Sequence, residues 1–297
     1  MINGSPADVT ADALAVMAQT PDPRLREIMV GLVRHLHAFI TEVGLTEPEF
    51  REATALLNTM GQMTTDTHNE FVLMAGSLGV SSLVCLLNNG NNGTTETSQN
   101  MLGPFWRMHS PHTDNGGTIL RSELPGPTMD VTLTIVDQNG VPIAGAEVDV
   151  WHTSPEGLYE NQDEHQADMN LRGKFTTDAN GQIWFHSVKP IGYPIPTNTI
   201  VGKLLAAQNR HAYRPAHVHA LVFKQGFKTL ISQIYADDDP RIQTDPQFGV
   251  TKALLATFVR HDAPHPARPD ATTPWWSLDH RLVMEPGASV LPRPPIK

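Results

Sequence analysis

The sequence predicts an α+β protein, a helical N-terminal region followed by an antiparallel β-sandwich. Over the first hundred or so residues, apolar side chains return at three- and four-residue steps. From about Met129 they return at every second residue. Turns rich in Gly, Pro and Asn then separate several short alternating runs, the pattern of a sandwich. The expected division is 1–105 for the helical part and 106–297 for the sandwich.

In the helical part, Leu25, Ile28, Leu32, Leu36, Phe39 and Ile40 mark one face, expected to be buried. Thr46-Glu47-Pro48-Glu49 has capping-box spacing and opens a second helix through Phe50, Ala53, Leu56, Leu57 and Met60. A third is expected from about Asp66 through Phe71, Leu73, Met74, Leu78 and Val80 to Leu87. The stretch Asn88 to Gly93 would stop it, since Asn and Gly tolerate left-handed backbone. These faces carry little chemistry and suit dimerisation.

In the second part, Val131 to Val136 alternates and ends at the turn Asp137-Gln138-Asn139-Gly140. Glu147 to Trp151 is the next strand. Lys174 to Thr177 and Ile183 to His186 read as a hairpin around Asn180-Gly181. His217 to Phe223 and Leu230 to Tyr235 read as another pair. Pro264, Pro266, Pro269 and Pro274 mark an extended surface segment.

Composition narrows the function. A net charge of −10 without a basic stripe argues against nucleic-acid or anionic-membrane partners. The N-terminus lacks a signal-peptide pattern and no apolar run is long enough to span a bilayer, so a cytoplasmic location is expected. With one cysteine, Cys85, there is no disulfide framework or cysteine metal cluster, and its apolar surroundings read as packing.

The sharpest local signal is Arg214-Pro215-Ala216-His217-Val218-His219. Side chains two apart on a strand share a face, so His217 and His219 can reach one ion. His35 and His37 have the same spacing in a helical pattern, about 200° apart, and cannot. By itself the strand pair leaves two readings open, a metal site or a packed pair. Two of the four tyrosines add to it: Tyr159, after the strand end Trp151-His152, and Tyr193, held in Pro190-Ile191-Gly192-Tyr193-Pro194-Ile195-Pro196. Each alone reads as a core aromatic.

Together, the Gly-x-Tyr after a Trp-His strand, Tyr-Pro-Ile-Pro, and Arg-His-x-x-Arg-Pro-Ala-His-Val-His resemble the intradiol ring-cleavage dioxygenases, the catechol 1,2-dioxygenase family. The likeness extends to Gly103-Pro104-Phe105-Trp106 and to Trp275-Trp276-Ser277-Leu278-Asp279, which resembles that family's closing strand. It implies one Fe(III) per chain held by Tyr159, Tyr193, His217 and His219, with O2 as co-substrate. Tyr159 and His217 would be equatorial, Tyr193 and His219 axial. Two phenolates suit a hard trivalent ion, and with a hydroxide they cancel its charge in a dry pocket.

The same resemblance implies that a vicinal diol displaces Tyr193, which takes up a substrate proton. Arg214 would stabilise charge on the ring, with Gln233 beside it. Leu73, Gly76, Gly103, Pro104, Phe105, Ile195 and Pro196, with Arg214, would line the substrate pocket. Gly103 to Phe105, Pro194 to Pro196 and Val201 to Ala206 are most similar to hydroxyquinol (1,2,4-trihydroxybenzene) dioxygenases, with catechol or chlorocatechol as the alternative. One departure is Gly76, where hydroxyquinol enzymes carry an acidic residue; its loss is expected to open space for a ring substituent. A homodimer joined through the N-terminal helices, holding a phospholipid, is also implied. The competing classes fit less well. A metal-free binding module leaves the four residues unexplained; a zinc hydrolase needs a carboxylate or third histidine ligand, and an extradiol enzyme a two-histidine, one-carboxylate triad, that the pattern does not supply.

Overall fold

The computed structural model describes residues 4–66, 68–88 and 99–294. It divides into two compact units, one ending at Thr59 and the other beginning at Met60. The first holds α1 (Pro6–Met17), α2 (Pro23–Val43) and most of α3 (Glu47–Met63). Ser5 and Asp22 cap α1 and α2 through their side chains, and each helix has a proline in its first turn. The capping box of α3 is formed: Thr46 N–H donates to Glu49 Oε2 at 2.9 Å, and Glu49 N–H to Thr46 Oγ1 at 3.5 Å.

The expected buried face on α2 is not buried in this chain. Leu25, Ile28, Leu32, Leu36 and Phe39 lie on α2 with about half their surface exposed. The stripe is real, but one copy of the chain does not cover it.

In the second unit, the helix expected from Asp66 to Leu87 is two helices, α4 (Glu70–Ser77) and α5 (Val80–Asn88), bent by 76°. The break falls at Gly79, whose φ of +73° is open to glycine and strained for other residues. Apolar periodicity runs across the bend, which hid it. The stop signal from Asn89 to Gly93 lies outside the described residues. Cys85 is half-buried, and burial pushes its thiol pKa up, so it is a packing residue. Among the described residues, no single helix is long and apolar enough to cross a membrane.

The strands form two main sheets. In chain order they are β1 (Thr128–Asp137), β2 (Glu147–Trp151), β3 (Arg172–Thr176), β4 (Gln182–Val188), β5 (Tyr193–Pro194), β6 (Tyr213–Arg214), β7 (His217–Phe223), β8 (Leu230–Ala236), β9 (Leu255–Ala256), β10 (Val259–His261) and β11 (Trp275–Met284). A four-stranded sheet has the order β10-β11-β1-β4 and a five-stranded sheet β3-β2-β7-β8-β9. The sheets are mixed rather than purely antiparallel. β1 runs parallel to β11, from Met129 against Trp276 to Asp137 against Met284, and β8 runs parallel to β9. Both parallel pairs join strands distant enough in sequence for the chain to return in the same direction.

The expected hairpin from Lys174 to His186 is also corrected. β3 pairs with β2 and β4 with β1, so the turn crosses from one sheet to the other. Thr177 turns the chain out of β3: its Oγ1 accepts from Ala146 N–H at 2.8 Å and donates to the Ile143 carbonyl at 2.7 Å. The core lies between the sheets. Val131, Leu133 and Ile135 of β1 meet Val148 and Val150 of β2 and Val218, Ala220 and Val222 of β7, all essentially without exposure. Phe175 and Phe185 stack across it with ring centroids 5.1 Å apart.

Because Phe185 is fully enclosed, Phe185→Ala should cost about 3–5 kcal/mol through lost burial and a residual cavity. Urea unfolding followed by tryptophan fluorescence measures it; a loss below about 1 kcal/mol would mean that these rings do not hold the sandwich together.

Candidate metal centre

β7 has two dissimilar faces. Val218, Ala220 and Val222 enter the sandwich core, while His217, His219 and Leu221 point the other way, to where Trp151, Tyr159, Tyr193 and Phe105 gather. Tyr159 is brought there by a 3-10 turn that follows it, with Gln162 Oε1 accepting from its backbone N–H at 3.1 Å. Phe105 stacks on its ring at 4.4 Å, and the Arg172 guanidinium stands 6.0 Å from the ring centre. Arg172 is itself fixed by Glu160 at 2.7 Å and by the Phe105 carbonyl at 2.7 Å. Tyr193 opens β5, which pairs with β6 so that Tyr193 stands opposite Arg214. Trp151 stacks flat on His219 at 4.6 Å.

Four donor atoms converge. Tyr159 Oη lies 3.1 Å from Tyr193 Oη and 3.0 Å from His219 Nε2, and His217 Nε2 lies 3.2 Å from His219 Nε2. Such spacings match donors sharing one ion at bond lengths of about 2.0–2.2 Å. The imidazoles are held neutral, as ligands must be. Burial, then the Arg214 cation, pushes His217 down to about 3; burial, then His217, puts His219 well below its ordinary value. His217 Nδ1–H donates to the Pro215 carbonyl at 2.7 Å, which leaves its Nε2 lone pair facing the centre. His219 Nδ1 is buried with no partner among the described residues. In either tautomer His219 therefore leaves a polar group unmatched, and a cation at Nε2 relieves the crowding of lone pairs. Without one, burial and then Tyr193 raise the Tyr159 phenol well above its ordinary range. Among the described residues no cluster of three or more His, Cys, Asp or Glu could hold a metal, so this centre is built on phenols and imidazoles.

A cleft adjoins Tyr193 and Arg214, lined mostly by apolar residues. Of the expected substrate residues, Leu73, Gly103, Pro104, Phe105, Ile195, Pro196 and Arg214 line it. Two do not. Gly76 packs beneath Gln247, so no space opens there: a Cβ on it would overlap the Gln247 amide. Gln233 is turned to Arg214, its Oε1 accepting from Arg214 at 2.9 Å and from the Tyr235 hydroxyl at 2.6 Å while Nε2–H donates to the Met101 carbonyl at 2.7 Å.

Three residues here escaped the sequence reading. Tyr235 had a signal, since on β8 it faces His217 as Gln233 faces His219. Gln247 and Asp245 had none, because the segment carrying them has no periodicity. Asp245 holds Arg214 from both carboxylate oxygens, each 3.2 Å away. Burial opposes both charges, but Asp245, then Tyr235, takes Arg214 well above its ordinary value, and Arg214 keeps Asp245 below its own. Asp245→Ala would leave a buried cation without a partner, at a cost of about 3–5 kcal/mol at pH 7. The folded pKa is depressed, so the pair's contribution is present above the unfolded value of about 4 and fades as pH falls through the lower folded value. The stability gap between wild type and variant, read by urea unfolding, should therefore narrow below about pH 4; a gap equal at pH 3 and pH 7 would assign it to something else.

Residues 101–273 match the family described as Dioxygenase, and residues 22–95 the one described as Catechol dioxygenase N terminus. The chain is 42% identical to hydroxyquinol 1,2-dioxygenase of Rhizobium sp. (strain MTP-10005), over 91% of this chain and 92% of the relative. It is 35% identical to 6-chlorohydroxyquinol 1,2-dioxygenase of Cupriavidus pinatubonensis, over 94% and 97% respectively. The solved hydroxyquinol 1,2-dioxygenase of Pseudomonas putida DLL-E4 superposes with a TM-score of 0.84 at 34% identity, covering 95% of this chain and 99% of that one. Family match, extended identity and shared fold agree, and the chain belongs to the intradiol ring-cleavage dioxygenases.

Proposed function

We propose that this chain uses one Fe(III) and O2 to cleave hydroxyquinol, or a substituted hydroxyquinol, between its two adjacent hydroxyl-bearing carbons, giving a hydroxymuconate, maleylacetate-type diacid. The observation that carries the reading is the convergence of two buried phenols and two neutral imidazoles beside a largely apolar cleft. Hydroxyquinol is favoured by the activities named for the relatives described above. Catechol or chlorocatechol is the second reading, favoured by the missing carboxylate at Gly76.

Tyr159, Tyr193, His217 and His219 would hold the iron, a hard ion suited to phenolate oxygen. When bound, it supplies a Lewis acid that draws electron density from the diol and makes the ring reactive toward O2. The protein does the rest. Tyr193 Oη, at the edge of the cleft, accepts a proton from a substrate hydroxyl. Leu73, Phe105, Ile195 and Pro196 enclose the ring and exclude water, while Gly103 and Pro104 complete the wall. Arg214 offers a fixed cation to the negative charge that develops on the ring. Gln233 Oε1 accepts from Arg214 and so positions its guanidinium.

We assign the residues before 106 to dimerisation and the rest to chemistry, with Leu73, Gly103, Pro104 and Phe105 also lending the cleft a wall. The exposed stripe on α2 supports a homodimer, and its apolar character supports a phospholipid held at that contact. A single cysteine, which leaves no internal disulfide framework, supports a cytoplasmic location.

Under air the purified protein should be wine-red with one iron per chain, and its band should shift when hydroxyquinol is added anaerobically. His219→Ala should lose iron, colour and activity together. Arg214→Ala should keep iron and colour while kcat falls by about 10²-fold. A protein still colourless after iron reconstitution would overturn the reading, and a clear catechol preference in kcat/KM would overturn the choice of diol. Leu32→Glu, placed in the exposed stripe, should halve the mass read by light scattering; an unchanged dimer would remove that stripe from the interface.

A further inference from the structure

Helix α4 and the loop after Thr244 meet at one unusually close contact. The Gln247 carboxamide lies where a side chain on Gly76 would begin: a Cβ there would overlap its Oε1 and stand 2.7 Å from its Cδ. Gln247 is 4% exposed and lines the cleft together with Leu73, Tyr193 and Arg214. Its Nε2 donates to Ser77 Oγ at 2.7 Å and to the Leu73 carbonyl at 3.4 Å. Both donor hydrogens are thereby directed at α4, which fixes the orientation of the amide. Among the described residues, no donor reaches Oε1.

The backbone beneath is equally constrained. Gln247 N–H donates to Asp245 Oδ1 at 3.2 Å, and Gly249 N–H to Asp245 Oδ2 at 2.9 Å. Ser82 Oγ donates to the Gln247 carbonyl at 3.1 Å, Arg210 to the Pro246 carbonyl at 2.8 Å, and Asn100 to the Gly249 carbonyl at 2.7 Å. The same Asp245 that fixes Arg214 therefore also fixes Gln247. One loop sets both polar groups on this wall of the cleft.

We infer that Gln247 determines which ring substituent the enzyme prefers: its Oε1, in the volume that Gly76 leaves free, accepts a hydrogen bond from a hydroxyl on a ring carbon outside the cleaved bond. The inference rests on the intradiol reading given above. A neutral carbonyl oxygen at the cleft wall selects a neutral donor. Hydrogen or chlorine at the same ring position cannot donate, and once the bound ring excludes water would leave the acceptor unpaired. The amide thus recognises a third hydroxyl without the negative charge of a carboxylate.

Two variants reach the same amide from opposite sides. Gln247→Met keeps the length of the side chain and removes its acceptor. Gly76→Ala leaves Gln247 in place chemically but pushes aside the flexible end of its side chain. In the iron-loaded enzyme, each should lower the hydroxyquinol-to-catechol ratio of kcat/KM by about tenfold, the size of one neutral hydrogen bond. Anaerobic titration of the visible band should show the same shift in the ratio of Kd values. Adding Gly76→Ala to Gln247→Met should change the ratio no further, because both act on one group. A wild-type enzyme that cleaves these diols, with ratios unmoved by either variant, overturns the role of Gln247 and leaves the intradiol reading standing. Additive effects overturn it too. A wild type that cleaves neither diol overturns both.

Discussion

Successive side chains of an extended strand point to opposite faces, and β7 puts that constraint to two uses. Val218, Ala220 and Val222 complete the sandwich core, so the strand cannot slip without exposing them. The alternate positions, His217 and His219, are thereby fixed in height and direction on the other face. A one-residue change of register would send both imidazoles into the hydrocarbon core. The placing of the His217 and His219 donors is thus a by-product of packing that takes place behind them.

Around the centre, charge is arranged so that little of it is left uncompensated. The imidazoles are neutral, the buried guanidinium of Arg214 is matched by Asp245, and Arg172 is matched by Glu160. A cation bound by two phenols would find the local field close to neutral before it arrived. Burial makes each of these pairings obligatory, because an unmatched ion in such surroundings costs far more than an exposed one.

Much of this could be read in the sequence, and the limits are instructive. Strand periodicity made His217 and His219 legible as a pair on one face, whereas Tyr159 and Tyr193 joined them only through the resemblance of their surrounding motifs to a known family. The capping box of α3 was legible because its signal is likewise local. What escaped was non-local. Nothing near Lys174 or Ile183 says that their strands join different sheets, since that is decided by which distant strand each one meets. The bend at Gly79 was hidden by apolar spacing that suits one helix or two. Asp245 and Gln247 act through contacts with residues far away in sequence, and a loop without periodicity gives no sign of which way its side chains turn. The empty volume expected at Gly76 failed similarly: a missing side chain reads as space until the neighbour that fills it is known.

The parallel pairing of β1 with β11 has a further consequence for how the chain reaches this state. β1 begins at Thr128 and its partner at Trp275, so the middle of the four-stranded sheet joins segments made at very different times during synthesis. The helices and the β7–β8 pair need only local sequence and can form early. β1 must wait, with one edge unpaired, until the last strand leaves the ribosome. Loop closure over that distance is slow, and an unpaired edge invites association with other chains. Folding yield should accordingly depend on the C-terminal strand far more than its distance from the metal centre would suggest.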